Sequence, residues 1–142
     1  MTGCGPLREH VSQPSICVQQ LSVTPNGKWD VQLRIQNYNT IPIHIDHMQL
    51  QLLVQKNQGT SIAAAPTRTF GAQSIEVVTL SVQPSALEEL YMENLLEQRR
   101  SISYVLQGTI TVHLDKKSQR QIFHLTCKDQ LDPSPGLQGV FR

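Results

Sequence analysis

The chain has 142 residues, of which 16% are charged and 5% aromatic, and its formal net charge is +1. A length of this order predicts one domain that buries roughly two-thirds of its unfolded surface. The near-neutral charge argues against a nucleic-acid-binding surface, and the low charge with 39% hydrophobic residues argues against an intrinsically disordered chain.

Residues 1–13 are predicted to form a polar tether, without the basic and apolar regions of a complete signal peptide. Within this tether, Thr2-Gly3-Cys4 resembles the end of a bacterial lipobox, where small residues precede a cysteine that takes a lipid. We therefore predict lipid attachment at Cys4, which would anchor the protein to a membrane; an ordinary cysteine is the alternative. Gly5 would by the same resemblance favour outer-membrane sorting, and so the periplasmic face of a bacterial outer membrane.

The three cysteines leave Cys17 and Cys127 as a pair if Cys4 carries the lipid. In an oxidising envelope compartment these two residues could form a disulfide between the first and last predicted strands. Closing a loop of about 110 residues would stabilise the fold by roughly 4 to 5 kcal/mol. Two buried free thiols are the alternative.

Alternation of apolar and polar residues predicts a first strand at residues 14–23 and a second at residues 29–37. The Asn-Gly pair between them is typical of a hairpin turn. In the first strand the apolar parity shifts between Val18 and Leu21, which predicts a bulge. Trp29 and the apolar residues that follow it at every second position are expected to face the core.

A polar corner, residues 37–39, separates this hairpin from a further extended segment at residues 41–54. Pro42 lies near the start of that segment, as expected for a residue that cannot donate within a central ladder. The apolar parity changes at Asp46-His47, which predicts a bulge or a break there.

Three segments lead from there to the helix: a short strand at residues 61–65, a loop at 66–73 and a strand at 75–82. The single predicted helix spans about residues 85–98, and Ser85 with Glu88 matches a capping box at its start. The predicted apolar stripe comprises Leu87, Leu90, Tyr91 and Leu95. The glutamates expected on the solvated face are Glu88, Glu89, Glu93 and Glu97.

The last predicted strands span residues 102–114 and 121–127. Gly108 falls on the apolar face of the first of these, which predicts a kink, a bulge or a close approach of two backbones. Residues 129–142 have no period and are predicted to be a flexible tail. The fold class is therefore all-β: a two-sheet antiparallel β-sandwich over residues 14–128, immunoglobulin- or fibronectin-III-like, with about seven strands and one inserted helix.

The element order and two short motifs resemble the WHy (water stress and hypersensitive response) domain of the group-two late-embryogenesis-abundant family. The first motif comprises Asn37, Asn39, Pro42 and Ile43, and the second comprises Tyr104, Leu106, Gly108 and Val112. The resemblance runs from about residue 14 to residue 112, with Tyr38 where the family usually has proline and no glycine in residues 61–64. It implies a stress-associated domain, and bacterial envelope versions are often lipoproteins.

Three motif residues allow two interpretations each. Asn37 and Asn39 could line a binding corner, but we favour a structural role in which their side chains bond the backbone at a strand end. Tyr104 could stack on a ligand, but its inward position beside Leu106 favours a place in the core.

Patterns typical of catalysis are missing from the sequence. The histidines are scattered, and the chain has no Cys-x-x-Cys, His-Glu-x-x-His, Gly-x-Ser-x-Gly or carboxylate-rich metal loop. We therefore predict a protein that is not an enzyme and that needs no metal or cofactor. Nothing in the sequence indicates a nucleic-acid partner or a small-molecule substrate.

Two functions fit this reading. The first is a non-catalytic, envelope-tethered protein associated with desiccation and water stress, which acts through a hydrated polar sheet surface. The alternative is a lipoprotein adaptor that binds an envelope protein partner through an exposed strand edge or loops. If Cys4 is incidental, the domain would instead be cytoplasmic, with reduced Cys17 and Cys127.

Overall fold

The computed structural model describes residues 11–54, 59–114 and 119–142. In these residues the chain forms nine strands and one helix. In chain order they are β1 (Ser15–Val23), β2 (Trp29–Gln36), β3 (Ile43–Val54), β4 (Thr60–Ala64), β5 (Arg68–Phe70), β6 (Ile75–Val82), α1 (Ala86–Gln98), β7 (Ile102–His113), β8 (Gln121–Leu131) and β9 (Val140–Phe141).

The strands form two antiparallel sheets packed face to face. The four-stranded sheet has the order β6-β2-β1-β9, and the five-stranded sheet has the order β4-β3-β7-β8, with β5 also paired to β3. This arrangement confirms the predicted all-β sandwich with one helix. The structure has more strands than predicted because β5 and β9 are too short to show a period.

The core is the apolar layer between the two sheets. Trp29 and Leu33 of β2 face it from one side, and Leu106 and Val112 of β7 face it from the other; none of the four is more than 2% exposed. Because successive side chains of a strand point to opposite faces, the same strands keep polar residues on their outer faces. The alternation in the sequence therefore identifies the core side of the long strands.

Two irregularities occur where the apolar parity of the sequence changes. The pairing of β1 with β2 shifts register between Val18 and Gln20. The pairing of β3 with β7 shifts between Ile45 and His47, and β3 continues through this bulge to Val54. Both predicted bulges are confirmed, since one extra residue restores an apolar face to the core.

Helix α1 begins after Ser85, whose side chain accepts a hydrogen bond from the Glu88 amide at 3.3 Å. The predicted apolar stripe is wrong in part, because Leu87 and Leu90 are 60% and 57% exposed. The residues that α1 buries are Glu88, Met92 and Leu95. Positions 88, 92 and 95 also share one helical face. The spacing alone therefore could not decide which of two faces, offset by one residue, packs against the sandwich.

The predicted flexible tail at residues 129–142 is wrong. Residues 129–131 extend β8, and β9 pairs with β1 through Leu21 and Phe141. Phe141 is fully buried, and the Val23 amide donates to the Gly139 carbonyl at 2.8 Å. The predicted loop at residues 66–73 likewise contains β5, which pairs with β3. Both short strands are stabilised by distant partners, which a local pattern does not reveal.

Candidate functional site

The predicted lipid attachment site, Cys4, lies outside the described residues. The last part of the predicted tether is described, and its Val11 is buried against the sandwich. No helix in the described part of the chain is long and apolar enough to span a bilayer.

Asn37 and Asn39 are buried and hold three segments together. The Asn37 side-chain amide donates to the carbonyls of Ile41 at 3.1 Å and Gly71 at 2.9 Å, while its oxygen accepts from the Asn39 main-chain amide at 2.9 Å. The Asn39 side chain accepts from the Ser12 amide at 2.7 Å and donates to the Ser12 carbonyl at 2.9 Å. Because both buried side chains are hydrogen-bonded to main-chain groups, the corner has a structural role.

Pro42 is exposed and immediately precedes β3. Because it lies outside the strand, no hydrogen bond of β3 requires the N–H that proline lacks.

Tyr104 is 3% exposed, and its hydroxyl crosses the core to the main chain of Val18. The hydroxyl accepts a hydrogen bond from the Val18 amide at 3.1 Å and donates one to the Val18 carbonyl at 3.2 Å. Burial raises the pKa of Tyr104. The phenol therefore satisfies the backbone at the β1 bulge, and its ring is enclosed in the core.

At Gly108 the backbone of β7 lies close to that of β3. The φ of Gly108 is +153°, and a Cβ there would overlap the Gln49 carbonyl oxygen and lie 2.7 Å from the Leu50 Cα. Because these are main-chain atoms, no rotamer change could make room for a larger residue.

Cys17 of β1 and Cys127 of β8 form a disulfide with their Cα atoms 5.6 Å apart. The bond joins a strand of one sheet to a strand of the other. It therefore links the two layers of the sandwich covalently, next to the Tyr104 hydroxyl, which lies 3.9 Å from the Cys127 sulfur.

Glu88 is a buried acid, contrary to the prediction that all the helix glutamates are solvated. It is 0% exposed, and among the described residues neither carboxyl oxygen has a hydrogen-bond partner. Burial raises the pKa of Glu88 to about 7. The nearby Val54 main chain lowers the pKa in part, but it makes no hydrogen bond of ordinary geometry with the carboxyl group. The sequence feature that indicates this burial is the spacing of Glu88 from Met92 and Leu95.

A second polar cluster lies at one end of the five-stranded sheet. The rings of His44 and His113 stack with centroids 4.8 Å apart, and the Asp46 carboxylate accepts from His113 at 2.8 Å and from Arg120 at 3.0 Å. Partial burial raises the pKa of Asp46, but the hydrogen bonds and charges of these two partners outweigh it and lower the pKa below its usual value. Parallel stacked rings cannot aim their nitrogens at one ion, and no metal-binding group of three side chains occurs among the described residues.

The outer face of the five-stranded sheet carries a shallow groove of about 620 Å³. It crosses β4, β3, β7 and β8 between two rows of outward side chains. One row comprises Ser61, Gln51, Gln107 and Thr126, and the other includes Ala63, Gln49 and His124. The floor between the rows is the main chain of Ile62, Leu50, Gly108 and Leu125, and the three side chains among these point into the core. None of these lining residues is Asp, Glu, Lys or Arg, so the groove offers uncharged donors and acceptors.

Comparison with known proteins identifies one family. The family model for late embryogenesis abundant proteins, LEA_2, matches residues 32–127. No curated protein sequence matches the chain.

Two solved structures resemble the fold. The solution structure of a candidate late embryogenesis abundant (LEA) protein aligns with a TM-score of 0.54 and 12% identity, over 85% of this chain and 71% of that chain. The solution structure of an Arabidopsis thaliana protein aligns with a TM-score of 0.51 and 13% identity, over 87% and 79%. At these levels of sequence identity, the comparison shows a similar fold and nothing further.

Proposed function

The chain belongs to the late embryogenesis abundant protein family, and from that premise we propose that it is a non-catalytic, envelope-tethered member that protects neighbouring macromolecules during water loss. The proposal assigns it to the WHy-domain type, which its Asn-x-Asn-x-x-Pro and Tyr-x-Leu-x-Gly motifs resemble. Protection would be stoichiometric, because it would act by surface contact and hydration.

The observation that carries this proposal is the outer face of the five-stranded sheet. Gln49, Gln51 and Gln107 are all exposed there beside the hydroxyls of Ser61 and Thr126. Neutral amides and hydroxyls can replace hydrogen bonds that water makes with another macromolecule, without the strong fixed charges that select one partner.

Lipid attachment at Cys4 would hold this surface at the periplasmic face of the outer membrane. The lipobox-like sequence supports such an anchor. The disulfide between Cys17 and Cys127 fits the same compartment, since disulfides persist where the environment is oxidising.

A drying assay tests the protective function. The purified chain is dried with a drying-sensitive dehydrogenase at increasing molar ratios, and we expect recovered activity to rise with the ratio and to level off above equimolar. An equal mass of serum albumin is the control. If the recovered dehydrogenase activity is no higher than with albumin, the protective function is contradicted.

Metabolic labelling with a palmitate analogue tests the tether in a bacterial host that expresses the full-length protein. Label on the wild type and none on Cys4→Ser is expected. Equal labelling of the two, or none on either, would contradict the anchor and leave the drying result unaffected.

An adaptor role is the second candidate, and the edge strand β6 favours it. Ile75 and Val77 are 59% and 40% exposed on the outer face of this eight-residue strand, which has no neighbour on one side within the described sheet. Exposed edges of this kind accept an added strand from a partner. A specific envelope protein recovered by crosslinking to β6, with no effect in the drying assay, would favour the adaptor over protection.

A further inference from the structure

We infer that the groove across the five-stranded sheet is a binding site for a neutral polyhydroxylated molecule, a sugar or sugar-like polyol. This goes beyond the proposed function, because protection by surface contact requires no bound small molecule. The inference depends on the groove's shape, on its hydrogen-bonding groups and on the absence of charge from its lining.

The shape comes from one row of cross-strand partners. Leu50 pairs with Ile62 on one side and with Gly108 on the other, and Gly108 pairs with Leu125. Four strands at a spacing of about 4.8 Å give the groove a length of roughly 14 Å, which suits a disaccharide or a short oligosaccharide. At Gly108 the backbone of β7 lies against that of β3, so the two central strands of the floor are close together.

The walls carry groups that both donate and accept. Gln51 and Gln107 face each other across β3 and β7, Ser61 lies beyond Gln51, and Thr126 lies beyond Gln107. Within the described residues, none of these four side chains makes a hydrogen bond to another protein group. A sugar hydroxyl also donates and accepts, so an unpaired row of amides and hydroxyls is complementary to a row of ligand hydroxyls.

The charge of the lining narrows the ligand class further. The side chains of Leu50, Ile62 and Leu125 point into the core, so the floor of the groove is formed by the main chain of the strands. Phosphates and carboxylates are bound most strongly by cationic side chains, and cations are bound by carboxylates; none of the residues that line the groove is Asp, Glu, Lys or Arg. A peptide strand would add at a sheet edge rather than lie across a sheet face.

The outer face of the four-stranded sheet provides an internal comparison. Gln32 of β2 lies there between Asp30 and Arg34, which point to the same side and introduce both charges. Gln32 is also within 3.4 Å of the Gln19 side chain, so its amide has a protein partner. A glutamine-bearing sheet face is therefore not by itself a site of this kind.

Titration of the ¹⁵N-labelled chain with maltose and with trehalose tests the inference, with glutamine side-chain NH₂ signals as the readout. We expect saturable shifts confined to Gln49, Gln51 and Gln107, and an affinity in the millimolar range. The double variant Gln51→Ala/Gln107→Ala should weaken binding at least tenfold, since each neutral hydrogen bond contributes roughly a factor of five. Gln32→Ala is the matched control and should bind as the wild type does.

Three results would overturn the inference: shifts that stay linear up to the solubility limit, shifts of equal size on both sheet faces, or unchanged binding by the double variant while its spectrum shows the native fold. Sodium phosphate serves as the anionic probe, and a response at the groove equal to that of maltose would also contradict a neutral-ligand site. The drying assay tests the proposed function independently. Protection without sugar binding would contradict this inference alone, and sugar binding without protection would contradict only the proposed function.

Discussion

Glu88 places a titratable carboxyl group in the core beneath α1. Its pKa in the folded protein is about 7, against an ordinary value of 4.5, because burial disfavours the charged form. The folded state therefore binds this proton more tightly than the unfolded chain does. The resulting stability is fully present below about pH 4.5 and is lost as the pH rises through 7.

The substitution Glu88→Gln removes this titration while keeping the shape of the protonated acid. We expect the variant to be more stable than the wild type by about 1 to 3 kcal/mol at pH 8 and nearly equal to it at pH 4.5. Urea unfolding at both pH values measures the difference. Glu93→Gln, at an exposed position of the same helix, is the control and should show no such change. A gain for Glu88→Gln that is independent of pH would contradict the buried charge.

At the scale of elements, β9 is the shortest strand and completes one edge of the four-stranded sheet. It has two residues, yet Phe141 is fully buried and β9 pairs with the second half of β1. The end of the chain is also tied to the segment after β8, because the Asp132 and Arg142 main chains exchange hydrogen bonds of 2.8 and 2.9 Å. The C-terminal residues are therefore part of the sandwich.

Phe141→Ala tests the contribution of β9. Removing a buried aromatic ring leaves a cavity, and we expect a loss of about 3 to 4 kcal/mol in the free energy of unfolding. The control is Leu137→Ala in the same tail, where the side chain is 45% exposed and the expected change is within about 0.5 kcal/mol. Equal, small losses for both variants would show that the tail does not pack on the sheet.

For the whole molecule, the two sheets are joined by contacts that reach across the core. The disulfide between Cys17 and Cys127 links β1 to β8 over a sequence separation of 110 residues. The Tyr104 hydroxyl links β7 to the bulge of β1 close by. A cross-link between distant residues stabilises the fold mainly by restricting the unfolded chain.

The double variant Cys17→Ala/Cys127→Ala is expected to lose roughly 3 to 5 kcal/mol of stability while keeping the same fold. Denaturant unfolding with and without a reducing agent measures this loss, and the reductant should destabilise the wild type but not the double variant. Cys4→Ser is the control, because it removes a cysteine without opening the loop. A wild-type protein that is insensitive to the reductant would show that the two thiols are unbonded in solution.

By itself the sequence determined the fold class, the long strands and the positions of both bulges. Those features follow from local alternation, since every second residue of a strand lies on one face and one extra residue shifts the parity. Ser85 likewise marked the start of α1, because its cap bonds a residue three positions away. The family resemblance followed from two short motifs, residues 37–43 at the corner between β2 and β3 and residues 104–112 on β7.

Only the tertiary structure decided which side of α1 meets the core, why Phe141 is buried, and which side chains line the groove. The spacing is compatible with a buried helical face that includes either Leu87 or Glu88. In the structure, the face that packs against the sandwich is the one that includes Glu88. The groove brings together residues of four strands, such as Gln51 and Thr126, through cross-strand register. Register depends on pairing between distant segments, and no local pattern contains that information.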